Sequence, residues 1–198
     1  LNVPIYVVGP SILVQRLVSV GVNGSLIRPV SLSQLASLPN NSLIIIDWSM
    51  IGPNLTISRN GLVHVNVSSV YFRLIAFLIR RGDFIIIHGN STEAPVIEYA
   101  LALAWSRAFN TSIVAIPVPK FPNGLNYIVA YGNDRMLIIG PHSLASALSI
   151  ASNIWAPLIM KKPTTDPEDL CAELAQNYSV SVYNQPVQIS STAYAIIY

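Results

Sequence analysis

Charge is what this sequence has least of. Only 10% of its 198 residues are Asp, Glu, Lys or Arg, against roughly 25% in a typical soluble domain. Three of its eleven bases are lysine, too few for the clustered phosphate contacts that a nucleic-acid partner requires. There is one cysteine, Cys171, so neither an internal disulfide nor a CxxC metal site is available. It reads as a small buried residue on a helix. Phosphate-binding glycine loops are also missing. After the first apolar stretch, Val8-Gly9-Pro10-Ser11 offers one glycine where the dinucleotide fingerprint needs three, and no P-loop follows. No cofactor is therefore expected. The longest apolar window, Met136 to Met160, is interrupted by Gly140-Pro141-His142. Its second half, HSLASALSIASNIWAPLIM, fits a buried core helix at least as well as a membrane span. The chain starts at Leu1 rather than Met, which reads as a processed product such as one that has lost a signal peptide.

Asparagine in a particular setting is plentiful. Asn-x-Ser/Thr occurs at Asn23, Asn40, Asn54, Asn66, Asn90, Asn110 and Asn177, seven of the fifteen asparagines. With this Ser and Thr content about two would arise by chance. N-linked glycosylation is the expectation, and Asn54 and Asn66 are favoured because residues 51 to 67 read as loop. Glycans would hydrate a surface that charge does not. In style, a secreted chain with many such sites and no disulfide resembles the cell-surface proteins of archaea.

Hydrophobic periodicity predicts an α/β fold. Strands are expected at Val3–Gly9, Leu26–Val30, Leu43–Asp47, Phe84–His88 and Ser112–Pro117. A hairpin is expected from Asn126–Tyr131 and Arg135–Ile139 around Gly132-Asn133-Asp134. Helices are expected at Ser11–Val20 with Ser11 as cap, Ser31–Leu38, Ser68–Arg81, Thr92–Phe109 and Ser143–Ile159. The helix over 68–81 puts Val70, Leu74, Phe77 and Leu78 on one face. Strands that are apolar throughout and alternate with helices imply a three-layer, Rossmann-like, mostly parallel sheet with helices on both faces, over residues 1–160. Residues 161–198 read as a linker, an acidic helix from Asp166 to about Gln176, and a β tail with strands at Ser179–Tyr183 and Val187–Tyr198.

"FIIIHGNSTEAP", residues 84–95, raises the question of catalysis. Asp47, His88 and Ser91 all fall at carboxyl ends of expected strands, the edge where open α/β sheets bind ligands. They are the ligand-pocket candidates. A serine hydrolase would use Ser91 as nucleophile, His88 or His142 as base and Asp47 to orient it. Residues 43–95, with a strand ending in Asp47, a helix ending "FLIRRGD" and then "FIIIHG", resemble the glutamine-amidotransferase-like domains. Catalytic members of that family carry Cys in a G-x-C-x-G elbow and a later His-x-Glu. Here the elbow reads Gly89-Asn90-Ser91-Thr92-Glu93, with Ser91 in the Cys position, and His142 is followed by Ser143-Leu144. The resemblance therefore implies the fold without amidotransferase chemistry. No catalytic residue and no metal site is expected.

Charge is also unevenly spread. Residues 1–165 carry all eleven bases against five acids, net +6, whereas residues 166–198 carry four acids and no base, net −4. The last strand places Tyr194, Ile196 and Tyr198 on one face and Ala193, Ala195 and Ile197 on the other. Such a strand must pair with a sheet edge, in its own body or in a neighbour. Tyr194, Ile196, Ile197 and Tyr198 are accordingly the expected assembly residues, with addition to a neighbour favoured. The overall expectation is a non-enzymatic, extracellular, N-glycosylated subunit of a filament or surface layer. It has copies of itself as partners, no nucleic acid and no membrane span. The alternatives are an extracellular ligand-binding or sensor domain and, behind it, a serine hydrolase.

Overall fold

A computed structural model describes residues 1–114, 116–117, 119–160, 166–177 and 185–197. The elements run β1 (Ile5–Val8), α1 (Ser11–Ser19), β2 (Ile27–Pro29), β3 (Leu43–Asp47), α2 (Gly52–Leu55), β4 (Thr56–Arg59), β5 (Leu62–Val65), α3 (Val70–Arg80), β6 (Phe84–Asn90), α4 (Ala94–Ala108), β7 (Leu125–Gly132), β8 (Met136–Gly140), α5 (Leu144–Ile150), a π-helical turn (Ala151–Trp155), α6 (Ala156–Met160), α7 (Pro167–Asn177), β9 (Val187–Gln188) and β10 (Tyr194–Ile197). One eight-stranded sheet has the order β2-β1-β3-β6-β7-β8-β10-β9. β2, β1, β3 and β6 are mutually parallel, β7 runs against both β6 and β8, and β10 is parallel to β8. The fold is α/β, Rossmann-like and mostly parallel.

The continuous apolar runs follow from this placement. All five residues of β3 and of β8 are buried, because helices cover both faces and no alternation with polar residues is tolerated. One core lies under α3 and α4 and takes Ile44, Ile46, Ile85 and Ile87. The other lies under α1, α5 and α7 and takes Leu43, Ile45, Phe84 and Ile86. Gly82, at φ +90°, closes α3, with Asp83 N–H reaching back to Leu78 O, as the left-handed residue after a helix does. Asp83 and Arg81 form a buried ion pair at 2.6 Å. Ser42 N–H also donates to Asp83, while Arg81 donates to the carbonyls of Leu35 and Leu38. The pair thus ties the 31–38 turn to the sheet and is spent on structure.

Several expectations are corrected. Residues 51–67 are not a loop: β4 and β5 form an antiparallel hairpin outside the main sheet, preceded by α2. Asn54 lies in α2 and Asn66 follows β5, so the loop argument for favouring them fails. Periodicity missed the hairpin because Leu62 and Val63 are exposed (63% and 58%), so burial imposes no pattern on them. The face assigned to α3 is rotated. Phe72, Ile75, Ala76, Leu78 and Ile79 are buried, whereas Val70 and Phe77 are exposed. With so many apolar residues the helix offers two stripes, and only contact with α4 selects one. Residues 31–38 form a 3₁₀ turn over Leu32–Ser37. α1 is entered through Pro10, with no side-chain cap from Ser11.

No strand forms at the described residues of 112–117. The place beside β6 is filled by β7, and the segment instead crosses over the first core, with Ile113 and Ile116 against it. Val114 N–H bonds Ile189 O. The β7–β8 hairpin stands where periodicity put it, as does Cys171, buried on α7. The single strand expected over Val187–Tyr198 is instead two, β9 and β10, which pair antiparallel across a turn closed by Ile189 N–H on Ala193 O. The Asp166 carboxylate accepts from Glu168 N–H at the start of α7.

The tail is continuous with the body's sheet. β10 adds to β8 of its own chain, in register from Tyr194↔Met136 to Ile197↔Ile139. Its alternation is as expected: Ala193, Ala195 and Ile197 enter the first core and Ile196 the second. Tyr198, the expected strand at 179–183 and the linker at 161–165 lie outside the described residues.

Candidate functional site

Register alone brings the two titratable candidates together. β3 and β6 pair so that Asp47 and His88 are cross-strand partners, and cross-strand partners share a face. β7 extends the row by placing Tyr127 opposite His88. On the other side, Gly9 follows Val8, the partner of Ile46, and so stands beside Asp47. The row Gly9–Asp47–His88–Tyr127 therefore crosses four adjacent strands at the carboxyl edge, on the α1 side. It includes the gap between β1 and β3, where the strand order reverses. That is the switch point at which open α/β sheets bind ligands. Gly9 sits at φ +150°, and a Cβ there would come within 2.8 Å of Asp47 Cβ. Only glycine lets β1 approach Asp47 this closely.

Arg16 of α1 completes the cluster. Its Nη1 lies 2.9 Å from His88 Nε2 and 3.4 Å from Tyr127 Oη. His88 Nδ1 lies 2.8 Å from Asp47 Oδ2. Arg has donors only, so Nε2 of His88 must accept, and the ring proton sits on Nδ1 and goes to Asp47. Asp47 Oδ1 accepts from Ser49 N–H at 3.0 Å and from Ser49 Oγ–H at 2.5 Å. Burial opposes ionisation of Asp47. The hydrogen bonds from Ser49 Oγ, His88 and Ser49 N–H outweigh it and hold the carboxyl below the usual carboxylate range. Asp47, His88 and Tyr127 are 9%, 8% and 6% exposed, while Arg16 is half-buried.

Ser91 is not brought to this row. It lies beyond the end of β6, with its N–H on Gly124 O at 3.0 Å. Among the described residues no hydrogen bond joins it to His88 or His142, and both ring nitrogens of His142 lack a partner. Glu93 folds back, so that its Oε1 accepts from Asn90 N–H and its N–H donates to Asn90 Oδ1. The Asn90-Ser91-Thr92 segment thus forms the closed entry to α4. A general base needs a free acceptor within reach of its nucleophile, and His88 Nε2 is committed to Arg16. A fluorophosphonate probe is therefore expected to leave Ser91 unlabelled. Labelling that disappears in Ser91→Ala would contradict this.

Sequence reasoning missed Arg16, Tyr127 and Gly9. Arg16 was legible as the single charge in SILVQRLVSV, flanked by the buried Leu13 and Leu17. A third buried acid was also missed. Glu98, within the apolar face of α4, is 1% exposed, and neither carboxyl oxygen has a hydrogen-bond partner. Burial pushes its pKa up to about 8, so it is protonated at neutral pH. Among the described residues no group of three or more His, Cys, Asp or Glu could hold a metal ion. None of their helices is long and apolar enough to cross a membrane.

No protein-family model, no curated protein and no solved structure matches this chain. The functional reading therefore rests on its own residues.

The sequon asparagines are distributed over the surface. Asn23, Asn40, Asn54, Asn90, Asn110 and Asn177 are exposed and Asn66 is half-buried. Asn23 and Asn66 each accept a hydrogen bond from the N–H of the sequon serine, Ser25 and Ser68, forming Asx turns. Among the described sequon hydroxyls, that of Ser42, in the Asn40 sequon, is buried, and it donates to Pro39 O.

Proposed function

We propose that this chain is a non-catalytic, N-glycosylated protein of the cell exterior, one subunit of a filament or surface layer. The observation that carries the reading is that none of the seven sequon asparagines is buried. A surface poor in charge is then hydrated by sugar. A non-catalytic role is supported by the Arg16–His88–Asp47 chain, in which the imidazole has both nitrogens engaged and, among the described residues, no serine, threonine or cysteine hydrogen-bonded to it.

The faces of the sheet support assembly. α7 carries Asp166, Glu168, Asp169 and Glu173, all exposed, on the α1 side. The opposite face carries exposed Arg59, Arg73, Arg80 and Arg107, together with the exposed apolar Leu62, Val63, Val70, Phe77 and Tyr99. A basic, apolar face and an acidic face on opposite sides suit head-to-tail contact, and such contact builds open filaments when the rotation does not close. The β10–β8 pairing made within the chain is also the contact that an exchanged tail would remake in a neighbour. Domain swapping preserves such contacts while linking copies.

The test is size in solution. Assembly is expected to grow with protein concentration and to weaken as salt rises from about 0.05 to 0.5 M, because the charged faces are screened over about 10 Å or less. A monodisperse monomer at every concentration and salt would contradict it. That result would favour an extracellular ligand-binding or sensor domain, for which the switch-point position of Arg16 and His88 is the supporting feature.

A further inference from the structure

Arg16 carries a positive charge that no acid touches. Arg16 and Arg81 are the two arginines withdrawn from the surface, both half-buried. Arg81 is met by the Asp83 carboxylate and by the carbonyls of Leu35 and Leu38. All nine Asp and Glu side chains belong to described residues, yet none forms an ion pair with Arg16. Arg16 meets two neutral groups instead, His88 Nε2 and Tyr127 Oη, both through Nη1. Its Nε and Nη2 have no hydrogen-bond partner among the described residues. Drawing a cation out of water without a countercharge costs free energy, and nothing in the fold itself offsets that cost here.

The position is that of a binding site. Arg16 stands at the carboxyl edge beside the gap between β1 and β3, where the strand order reverses and open α/β sheets take their ligands. Gly9, Pro10, Ser11 and Ile12 on one side of this gap and Ser49 and Met50 on the other are exposed. α1 begins at the same edge, so its positive end adds to the charge of Arg16. The acceptors of the row are already used: the Asp47 oxygens by Ser49 and His88, and His88 Nε2 by Arg16 itself.

What Arg16 has left to offer is one edge of its guanidinium, two parallel N–H donors. A carboxylate presents two acceptors at the matching spacing and carries the missing negative charge. A phosphate dianion suits the place less well. Asp47 lies one imidazole away, and its repulsion doubles for a doubly charged ligand. We infer that Arg16 binds the carboxylate of a small organic acid at this switch point, through Nε–H and Nη2–H. His88 and Tyr127 are positioning residues: they hold Nη1, and Tyr127 is itself fixed against the His88 ring, with centroids 4.7 Å apart, so the free edge is aimed before the ligand arrives. The inference goes beyond the surface role proposed above and depends on neither glycosylation nor assembly.

The experiment titrates isotope-labelled protein with sodium acetate, acetamide or sodium phosphate at constant pH and ionic strength. It follows the Arg16 Nε–H resonance, identified by its loss in Arg16→Lys, and the amides of Gly9, Ser11 and Ser49. Acetate is expected to give one saturable shift at all four groups, half-complete on the order of 10 mM. Arg16→Lys keeps the charge but not the paired donors, and the amide shifts should then require roughly tenfold more acetate. Arg59→Lys, on the exposed hairpin, should bind as wild type does. Absence of a saturable acetate shift in the wild type overturns the inference, and this readout does not depend on any variant folding. Acetamide binding as tightly as acetate would show that no charge is recognised, and overturns it. Phosphate binding more tightly than acetate overturns the assignment to a carboxylate. Equal acetate affinity in wild type and a folded Arg16→Lys overturns the role given to the guanidinium edge.

Discussion

Deletion of residues 186–198 is expected to unfold this protein, not merely to trim it. β10 is an inner strand, with β8 on one side and β9 on the other. Ile189, Ala193, Ala195, Ile196 and Ile197 are each at most 1% exposed. The three isoleucines alone contribute about 1.5–3 kcal/mol each on burial. Their sum approaches the whole stability of a typical domain, about 5–15 kcal/mol. The deletion also strips the pairing from Leu137, Ile138 and Ile139 of β8 and leaves an apolar sheet edge open to aggregation. Urea unfolding followed by circular dichroism should show no cooperative transition in the deletion variant. Ile197→Ala, a milder change, should cost about 2–4 kcal/mol. A deletion variant that unfolds cooperatively within about 1 kcal/mol of the full chain would show that the tail is not part of the core. Exchange of the tail between copies must therefore replace every one of these contacts in the neighbour, so a swapped assembly and a stable subunit are alternatives of nearly equal contact.

The second large effect is a loss of stability toward alkaline pH that depends on Glu98. Its pKa is pushed from 4.5 in the free side chain to about 8 by burial. Above the lower value the unfolded chain has released this proton, while the folded chain keeps it until the upper value. In that window the folded state binds one more proton than the unfolded state, so stability falls as pH rises, by about 1.4 kcal/mol per unit. The loss is complete above the folded value and totals about 5 kcal/mol, with water entry and local opening reducing what is observed. Glu98→Gln carries no titrating group there, so its urea midpoint should decline much less between pH 5 and 9, and the two curves should diverge toward pH 8. His142 is pushed the other way, its pKa lowered by burial. Its contribution is present above the ordinary imidazole range and is lost as pH falls, and it cancels in the difference between the two proteins. Parallel curves for wild type and Glu98→Gln would show that the Glu98 carboxyl is not isolated in the core.

Particular residues show why some of this was legible in the sequence. LIIID and FIIIH announce strands buried on both faces, and their equal lengths foreshadow the register that pairs Asp47 with His88. The alternation in "AYAIIY" assigned Ala195, Ile196 and Ile197 to the correct faces. What was not legible depends on pieces far apart in the chain. Arg16 reaches His88 only because α1 packs on the α1-side core, and nothing within SILVQRLVSV states that. Val70 and Phe77 looked like core residues because they are apolar at helical spacing, yet contact with α4 chose the other stripe of α3. The hairpin of β4 and β5 was hidden because Leu62 and Val63 face outward. Ser112–Pro117 had the composition of a strand, but β7 took the place beside β6.

The central claim, that this is a non-catalytic glycoprotein of the cell exterior, is tested most directly by the intact mass of protein purified from its native source. Added hexose-type mass on at least three of Asn23, Asn40, Asn54, Asn66, Asn90, Asn110 and Asn177, localised by peptide mapping, is the expected result. Asn40 should be the least occupied, because Ser42 is buried. A native chain whose mass equals that of its amino acids alone would contradict the account.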